Sequence, residues 1–290
     1  MQRKGDDCVK TGLIMEGGAM RGMFTCGVID VFLEQGVTFD GAGGISAGAT
    51  FGINYKSRQA GRALRYNLKY SRDPRYCSLR SLLRTGDLYG ADFCYRELPE
   101  ALDPFDHAAF AENPMEFWVG AADVRTGKLL YHRCTDGYGE DIAWIRGSAS
   151  MPLVSRPVKA GNRLLLDGGI VEPLPLHFME KQGYDRNVLI LTRARGYRKK
   201  PSPFLLPMRL ALGEYPKVAE ALELRPWRYN AIMEEIDRRE EAGELLVIRP
   251  PEDPGIGRTE KDPKELERVY RMGREAALEK LKAVKAWISG

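Results

Sequence analysis

The sequence predicts an α/β protein with three layers, α/β/α, around a mixed and mostly parallel central sheet, followed by a C-terminal, mostly helical extension. Strand-like and helix-like segments alternate as far as Arg193, which is typical of parallel strands joined by helices. Two hairpin-like stretches, 116–133 and 158–166, interrupt this alternation and add antiparallel pairs. We therefore expect one α/β domain over 9–195 and an extension over 196–290 that packs on it.

The first strand-helix unit contains a glycine-rich turn. Residues 11–15 predict a strand, and 22–35 predict a helix with apolar residues at helical spacing and Gly36 as its stop. The turn Gly-Gly-Ala-Met-Arg-Gly at 17–22 places backbone N–H groups where they can bind an anion at the helix N-terminus. It lacks the spacing of a P-loop or of a dinucleotide fingerprint. We therefore interpret it as an oxyanion hole for an acyl-transfer intermediate.

The second strand-helix turn contains a serine between glycines. Residues 39–43 predict a short buried strand, 47–70 predict a helix, and Gly-Ile-Ser-Ala-Gly lies between them. In a G-x-S-x-G elbow, Gly44 and Gly48 let backbone segments approach closely, and Ser46 presents its hydroxyl as a nucleophile. The pentapeptide alone is weak evidence, but its strand-to-helix context is the one that the elbow requires. The alternative is a small-residue turn whose serine only caps the helix.

A nucleophilic serine needs a general base, and the sequence offers two kinds of candidate. Of the histidines His107, His132 and His177, only His177 follows the best acid, which gives the Ser, Asp, His order of α/β-hydrolases. However, the 45 residues before the serine leave room for fewer strands than such a hydrolase places there. Asp167 ends an apolar strand before Gly168 and Gly169, so its carboxylate can take the serine proton directly. Its alternative role is that of a turn-forming acid.

These motifs, in this order, resemble those of bacterial patatin-like phospholipases. In that family a Gly-Gly-x-Arg-Gly loop supplies the oxyanion hole, a G-x-S-x-G serine is the nucleophile, and the aspartate of an Asp-Gly-Gly motif completes a Ser-Asp dyad without histidine. The resemblance covers about 9–195, includes Ala-Ser-Met-Pro at 149–152, and departs from many members at Glu172 before Pro173. It implies the following site residues: Ser46 and Asp167 as catalytic residues, Gly17, Gly18, Ala19, Arg21 and Gly22 in the oxyanion loop, Gly44 and Gly48 in the elbow, and Gly168 and Gly169 after the aspartate.

The resemblance also implies the reaction. It predicts a serine lipid acyl hydrolase, of the phospholipase A, lysophospholipase or carboxylic ester hydrolase type, that forms an acyl-enzyme and uses no metal or cofactor. Two alternatives stay open at this point. One is a Ser-His-Asp esterase with His177 as base, and the other is a non-catalytic protein that binds anionic lipid.

Composition favours a cytoplasmic enzyme. The chain has 290 residues, of which 43% are hydrophobic and 29% charged, and no apolar run is long enough to span a bilayer. The first seven residues are polar and charged, which predicts no secretory signal. The cysteines are odd in number and lack metal-ligand spacing, so we expect reduced thiols at Cys8, Cys26, Cys77, Cys94 and Cys134.

A run of cations between Lys56 and Arg84, interrupted only by Asp73, predicts an anionic partner. No nucleic-acid motif accompanies this run, so we expect an anionic membrane surface and no nucleic acid. Together with the apolar loop at 204–206, the run would form an interfacial surface beside the site. The alternative is an ordinary solvated helix face.

The C-terminal extension begins at a composition break. The proline-rich stretch 198–207 predicts a loop, 227–242 a helix and 245–249 a strand. Asp262 and Pro263 then predict the start of a last helix, with Glu265 as a capping-box acid. The apolar stripes of these helices need a surface to cover them, which is why we expect the extension to pack on the α/β domain.

Overall fold

We describe a computed structural model of the chain over residues 9–290. The polar N-terminal segment and Cys8, singled out above, lie outside the described residues. The described residues form one sheet whose strands are β1 Lys10–Met15, β2 Gly41–Ile45, β3 Glu116–Asp123, β4 Leu129–Cys134, β5 Val158–Ala160, β6 Arg163–Asp167, β7 Tyr184–Ile190 and β8 Leu246–Ile248. Their order is β5-β6-β3-β2-β1-β7-β8, and β4 pairs with β3.

Helices connect these strands and form the C-terminal part. They are α1 Met23–Glu34, α2 Ala47–Lys56, α3 Arg62–Tyr70, α4 Leu79–Thr85, α5 His107–Glu112, α6 Gly139–Ala149, α7 Leu176–Lys181, α8 Leu205–Ala211, α9 Pro216–Glu241 and α10 Pro263–Ser289. Shorter 3-10 turns lie at Ala19–Gly22 and Gly168–Ile170, and a π-helix lies at Phe93–Leu102. None of the described helices is long and apolar enough to cross a membrane.

The predicted fold class is confirmed. Strands β1, β2, β3, β7 and β8 pair in parallel, whereas β4, β5 and β6 enter through antiparallel pairs. One face of the sheet packs its buried side chains against α1, α2, α6 and α10. The opposite face packs against α7 and α9. The two hairpins read from the sequence correspond to β3–β4 and β5–β6.

The sheet register brings the ends of β2 and β6 together. Gly120 in β3 pairs with Ile45 of β2 on one edge and with Tyr131 of β4 on the other. The next residue, Ala121, pairs with Asp167 of β6 on the edge away from β4. Because β2 runs parallel to β3 and β6 runs antiparallel to it, their carboxyl ends face each other along the same edge. The residues that follow β2 and end β6 must therefore lie close together.

The last helix packs closely on the first. A Cβ on Gly27 of α1 would overlap the carbonyl oxygen of Tyr270 in α10, and a Cβ on Gly273 would overlap the carbonyl oxygen of Phe24. The backbones of the two helices therefore touch through a glycine on each side. In addition, the buried Asp30 accepts a hydrogen bond from the hydroxyl of Tyr270 at 2.8 Å. The C-terminal helix is thus joined to the α/β layer by both packing and polar contacts.

Several predicted boundaries were wrong. The helix expected over 47–70 is broken between α2 and α3, where Arg58 has a φ of 56° and Gly61 a φ of 72°. The helix expected from Trp227 begins instead at Pro216, because Pro226 lies buried inside α9 without ending it. Helix α8 begins within the stretch that was predicted to be a loop.

The start of α10 matches the prediction only in part. Asp262 caps it by accepting a hydrogen bond from the N–H of Lys264 at 3.2 Å. The amide of Asp262 donates to Glu260 at 2.9 Å, and Glu265 pairs with Arg268, so the reciprocal bond of a capping box is not formed.

The cationic run does not form one free face. Lys56 is buried and donates to the backbone carbonyls of Asn113 and Met115 at 2.7 and 2.5 Å. Arg62 is also buried and donates to the carbonyl of Asp103 at 2.7 Å. Three further members, Arg65, Arg72 and Arg75, form ion pairs. The members of the run that are exposed and have no ion pair among the described residues are Arg58, Lys69, Arg80 and Arg84. The described cysteines are free thiols.

Candidate active site

Ser46 lies in the tight turn between β2 and α2. Its backbone has a φ of 56° and a ψ of −118°, in a region that is strained for a residue with a side chain. A Cβ on Gly44 would overlap the backbone of Gly48, and a Cβ on Gly48 would overlap the carbonyl of Met15. Only glycine at these two positions allows the turn to pack so closely against β1. The turn holds Ser46 half-buried at its tip.

Ser148 holds the backbone of this turn. The N–H of Ser46 donates to Ser148 Oγ at 2.8 Å, and the Ser148 hydroxyl donates to the carbonyl of Gly120 at 2.6 Å. Ser148 is fully buried near the end of α6. Two hydrogen bonds thus connect the strained turn to the central strand β3. Since a buried hydroxyl with both partners satisfied is costly to remove, Ser148 helps to fix the position of Ser46.

Asp167 is the hydrogen-bond partner of the Ser46 side chain. The Ser46 hydroxyl donates to Asp167 Oδ2 at 2.8 Å, and the N–H of Gly169 donates to Oδ1 at 2.7 Å. Burial raises the pKa of Asp167 above its ordinary value, while Arg225, the serine hydroxyl and the Gly169 amide oppose part of this rise. A carboxylate with a raised pKa is a stronger base. Both the geometry and the basicity of Asp167 therefore suit transfer of the serine proton.

The glycine-rich loop runs beside the turn that holds Ser46. A Cβ on Gly17 would lie 3.0 Å from the Cβ of Ser46, and a Cβ on Gly18 would lie 2.6 Å from the hydroxyl oxygen of Thr192. A Cβ on Gly22 would likewise lie 2.8 Å from the ring of Phe51. Side chains at these positions would therefore force the loop or its neighbours to shift.

The amides of this loop have different roles. The N–H of Gly17 donates to the carbonyl of Pro173 at 3.0 Å, and that of Arg21 donates to Gly18 at 3.3 Å. Within residues 9–290, the N–H groups of Gly18 and Ala19 have no hydrogen-bond partner. Ala19 has a φ of 49°, a strained value for a residue other than glycine. The amides of Gly17 and Arg21 are thus occupied by backbone carbonyls, whereas those of Gly18 and Ala19 are left to bind a ligand.

Glu16 ties the start of the loop to its surroundings. Its carboxylate accepts hydrogen bonds from the N–H and hydroxyl of Thr192, at 2.6 and 3.0 Å, and from the hydroxyl of Tyr229 at 3.1 Å. Glu16 is 2% exposed. These bonds join the end of β1 to the segment after β7 and to α9. The start of the loop is therefore fixed by the segment that follows the neighbouring strand β7 and by α9.

A large apolar cavity opens on one side of Ser46. It has a volume of about 610 Å³ and includes Ser46 and Asp167 in its wall. This volume lies within the range of roughly 300–1,000 Å³ that is usual for small-molecule sites. Most of its wall is apolar or aromatic, with contributions from Phe51, Tyr66, Leu88, Leu98, Ile142 and Ile145. The serine hydroxyl therefore borders a space that fits a long apolar group.

A smaller cavity of about 60 Å³ lies on the other side and shares Ser46 and Asp167 with the first. We call it the cationic pocket, because its wall contains the side chains Arg21, Arg193, Lys199, Arg225 and Arg258. The Nε of Arg225 donates to the carbonyl of Gly169 at 2.7 Å, beside the aspartate. Ser46 thus lies at the junction of an apolar space and a positively charged one.

The three histidines lie at separate positions, and one of them lines the apolar cavity. His177 Nε2 is 3.0 Å from Glu235, and the His177 side chain is 54% exposed. It lines neither cavity. His132 pairs with Asp141, whereas His107 lies in the wall of the apolar cavity. Among the described residues no hydrogen bond joins a histidine to Ser46 or Asp167.

One group of side chains in residues 9–290 brings potential metal-ligand atoms within 4.8 Å of one another, namely His132, Cys134 and Asp141. Asp141 Oδ2 accepts N–H bonds from three successive residues, 135–137. Its Oδ1 lies 2.6 Å from His132 Nε2. The carboxylate is therefore occupied in closing the turn after β4, and we do not infer a metal site from this group.

Sequence reasoning missed several residues of this region. Ser148, Arg225 and Lys199 lie far along the chain from the motifs that they contact or adjoin. Ser148 and Arg225 contact backbone atoms, and Lys199 lines a cavity that several elements form together. Ser148 directly precedes the segment 149–152 noted in the sequence, but no local pattern indicates which atoms these three side chains contact. Glu16 did carry a signal, since an acid at the end of an apolar strand is unusual and directly precedes the glycine-rich loop.

Comparisons with known proteins point to the same part of the chain. The family model for patatin-like phospholipases matches residues 13–179, and a model described as a domain of unknown function, DUF6363, matches 215–289. An uncharacterised NTE family protein of Mycobacterium tuberculosis is 32% identical over 176 residues, which are 58% of this chain and 28% of that protein. A lysophospholipase of Yarrowia lipolytica is 27% identical over 179 residues, which are 59% of this chain and 12% of that protein.

The chain thus spans much less than half the length of these relatives. Among solved structures, that of VipD from Legionella pneumophila superimposes with a TM-score of 0.46 and 12% identity, covering 95% of this chain and 67% of that one.

Proposed function

This chain belongs to the patatin-like phospholipase family, and from that premise we propose that it is a serine lipid acyl hydrolase with Ser46 as nucleophile and Asp167 as general base. The observation that carries the proposal is the hydrogen bond of 2.8 Å from the Ser46 hydroxyl to Asp167 Oδ2, at the edge of an apolar cavity of about 610 Å³. The named lysophospholipase among the relatives supports a lipid ester as substrate.

In the first step, Asp167 takes the proton of the Ser46 hydroxyl as Oγ attacks the ester carbonyl. The raised pKa of Asp167 favours this transfer, and the Ser148 contact holds the nucleophile at a fixed position. A tetrahedral intermediate forms, and its oxygen carries a negative charge. Asp167 then returns the proton to the departing alcohol, so that the acyl group remains on Ser46.

Gly18 and Ala19 are the proposed oxyanion donors. Both residues line a cavity with Ser46, and among residues 9–290 their N–H groups have no hydrogen-bond partner, which supports this role. Gly17, Arg21 and Gly22 then support the loop instead of donating to the oxyanion. Loss of one such donor in other acyl-transfer enzymes costs about 100-fold to 1,000-fold in turnover.

In the second half of the reaction, water replaces the alcohol. Asp167 takes a proton from this water, the hydroxide attacks the acyl carbonyl, and Ser46 recovers its proton as the fatty acid departs. The apolar cavity suits the acyl chain in both steps, because its aromatic and aliphatic wall removes the chain from water.

The test is the release of free fatty acid from mixed phospholipid vesicles by the purified protein, with Ser46→Ala as the paired control. We expect release by the wild type and none by the variant. Release that persists in Ser46→Ala would contradict the proposal. If neither protein releases fatty acid, short soluble esters decide between a wrong lipid and a non-catalytic binding protein.

Contact with an anionic membrane surface is proposed for α4. Leu79 and Leu83, one helical turn apart, are 73% and 88% exposed, and Arg80 and Arg84 stand beside them. Helix α4 leads directly into Leu88, which lines the apolar cavity. Insertion of the two leucines into a bilayer would bring that wall of the cavity to the lipid, and the arginines would favour anionic lipid.

A further inference from the structure

The cationic pocket holds more positive charge than the catalytic proposal explains. Five cationic side chains and two carboxylates, Glu16 and Asp167, contribute to its wall. Both carboxylates already have partners, because Glu16 accepts from Thr192 and Tyr229 while Asp167 accepts from Ser46 and Gly169. Neither carboxylate forms an ion pair with a cation of the pocket among the described residues.

Most of these cations have no counter-ion. Arg193 forms an ion pair with Asp253. Among the described residues, no carboxylate lies within ion-pair distance of the remaining four, which are Arg21, Lys199, Arg225 and Arg258. The Nε of Arg21 is buried without any hydrogen-bond partner. Arg21, Lys199 and Arg225 are half-buried, and Arg258 is exposed at the edge of the pocket. Partly buried cations that form no ion pair are costly, so this arrangement is typical of a site that an anion completes.

The electrostatic environment of Lys199 supports the same conclusion. Burial, followed by the nearby Arg225, lowers the pKa of Lys199 to about 7. A lysine with a lowered pKa becomes protonated when an anion binds beside it, since an opposite charge favours the protonated form. Its ammonium group also lies over the ring of Tyr229, at 4.1 Å from the ring centroid, which keeps it at the pocket.

We infer that the cationic pocket binds the phosphate monoester group of a lipid substrate whose acyl chain occupies the apolar cavity, as in a lysophosphatidic or phosphatidic acid. This inference deepens the proposed function, and it rests on that function for the claim that the bound lipid is a substrate. It adds the head-group class, which the Ser46 and Asp167 geometry leaves open.

Size and charge both favour a phosphate monoester. A cavity of about 60 Å³ has room for roughly four water-sized groups at about 15 Å³ each, which suits one phosphate group. Guanidinium groups bind phosphate oxygens in a forked geometry that an isolated ammonium lacks. A dianion also neutralises several cations better than a singly charged phosphodiester or carboxylate does.

Because the two cavities meet at Ser46, the anionic group of the ligand must lie close to the ester that the serine attacks. Both cavities include Ser46, so the anion lies only a few bonds from the carbonyl that the serine attacks. The phosphate of a glycerol phosphate ester meets this requirement, because a short three-carbon unit joins it to the acyl ester. A charge at the far end of an acyl chain does not.

The first test measures binding without catalysis. Ser46→Ala protein is titrated with a 1-O-alkylglycerol 3-phosphate and with the uncharged 1-O-alkylglycerol of the same chain length, both below their micelle concentrations. We expect the phosphate ligand to bind at least tenfold more tightly. Lys199→Gln, added to Ser46→Ala, should weaken only the phosphate ligand, by about fivefold or more. Lys200→Gln, at an exposed neighbouring position outside the pocket, should change the binding of neither ligand.

Equal affinity for the two ligands, or an equal loss for both in Lys199→Gln, would overturn the inference. Inorganic phosphate and glycerol 3-phosphate serve as further probes. If either binds as tightly as the alkyl phosphate and the alkyl chain adds nothing, the pocket takes free phosphate and its assignment to a lipid head group is wrong.

The second test separates this inference from the proposed function. The kcat/KM for lysophosphatidic acid is compared with that for the monoacylglycerol of the same acyl chain, using wild type and Lys199→Gln. We expect a preference for the phosphate of at least tenfold that Lys199→Gln reduces. If neither ester is hydrolysed but the binding preference persists, the hydrolase proposal fails and the anion site stands. If both are hydrolysed at equal rates, the hydrolase proposal stands and the head-group inference fails.

Discussion

Ser46 and Asp167 lie at the facing ends of two strands that share one edge of β3, and their side chains meet at a distance of 2.8 Å. Ile45, which precedes the serine, pairs with Gly120, and Asp167 pairs with the next residue, Ala121. The separation of the two side chains is therefore set by the register of the sheet. A pair held in this way needs little reorganisation before proton transfer.

Replacement of the base should abolish most of the activity. In Asp167→Asn, the carboxamide keeps the shape of the side chain but does not accept the serine proton, so kcat should fall by about 100-fold to 10,000-fold. Hydrolysis of a short soluble ester measures this without an effect of vesicle binding. The matched variant is His177→Ala, which should keep kcat within about twofold of the wild type, because His177 is exposed and bonded to Glu235. Full activity in Asp167→Asn with loss in His177→Ala would remove the dyad and favour His177 as the base.

The acid side of the pH profile should report on Asp167. The base must be deprotonated, and burial raises its pKa, so kcat/KM should begin to fall at a higher pH than expected for an exposed aspartate. Arg225 lowers the pKa of Asp167, so Arg225→Gln removes this effect and should move the acid limb to still higher pH. Arg225→Lys keeps the charge and should leave the limb near its wild-type position. An unchanged limb in Arg225→Gln would mean that another group controls the profile.

Much of this arrangement could be read from the sequence, for a physical reason. Gly44 and Gly48 mark a turn in which a Cβ would overlap backbone, and Asp167 ends an apolar strand before two glycines. Such constraints act between residues close in the chain, so they leave local patterns. The alternation of strands and helices is local in the same sense, and it was sufficient to predict the fold class.

The rest depends on contacts between distant segments. Nothing near Ser148 indicates that its hydroxyl accepts the amide of Ser46, 102 residues away. Likewise, Lys199 and Arg258 line one cavity with Ser46 only because segments far apart in the chain come together there. For the same reason the cationic run was wrongly predicted to form one exposed surface. Lys56 and Arg62 are buried and donate to backbone carbonyls that the sequence does not reveal.

The close contact of α1 and α10 predicts how the extension behaves. A Cβ in Gly273→Ala would overlap the carbonyl of Phe24, so the variant should lose about 1–3 kcal/mol of stability or more. If 9–195 and 196–290 form one cooperative unit, wild type and variant should each unfold in a single thermal transition, with a lower midpoint for the variant. Gly257→Ala is the control, because its Cβ would meet only the amide of Thr259, at 4.0 Å. Two separate transitions in the wild type would show that the extension is independent.

Removal of the exposed leucines on α4 should weaken membrane binding. Burial of a leucine contributes roughly 1.5–3 kcal/mol, so Leu79→Asp with Leu83→Asp should reduce affinity for anionic vesicles by at least about tenfold. Hydrolysis of a short soluble ester should not change, because neither residue lines the catalytic cavity. Leu278→Asp on α10, where the leucine is 51% exposed, is the matched control. Unchanged vesicle affinity in the double variant would remove α4 as the membrane contact.

The pKa of Lys199 also predicts how stability depends on pH. In the folded protein this pKa is lowered to about 7, from an ordinary value of 10.5. The unfolded chain therefore binds more protons than the folded one between these values, and stability should rise with pH across this window. Below about pH 7 both states are protonated, and the full cost of the buried charge is present. Lys199→Met should thus stabilise the protein at pH 6 and remove part of the rise above pH 7, as measured by the melting temperature.

Lys200→Met controls for a change of net charge, since Lys200 is exposed at the neighbouring position. Its melting temperature should follow the wild type at every pH. The anion site adds one more expectation, because phosphate bound beside Lys199 should favour its charged form. Binding of the alkylglycerol phosphate at pH 8 should therefore take up protons, which calorimetry in buffers of different ionisation enthalpy detects, and Lys199→Met should reduce this uptake. Equal proton uptake by wild type and Lys199→Met would show that the ligand does not recharge this lysine.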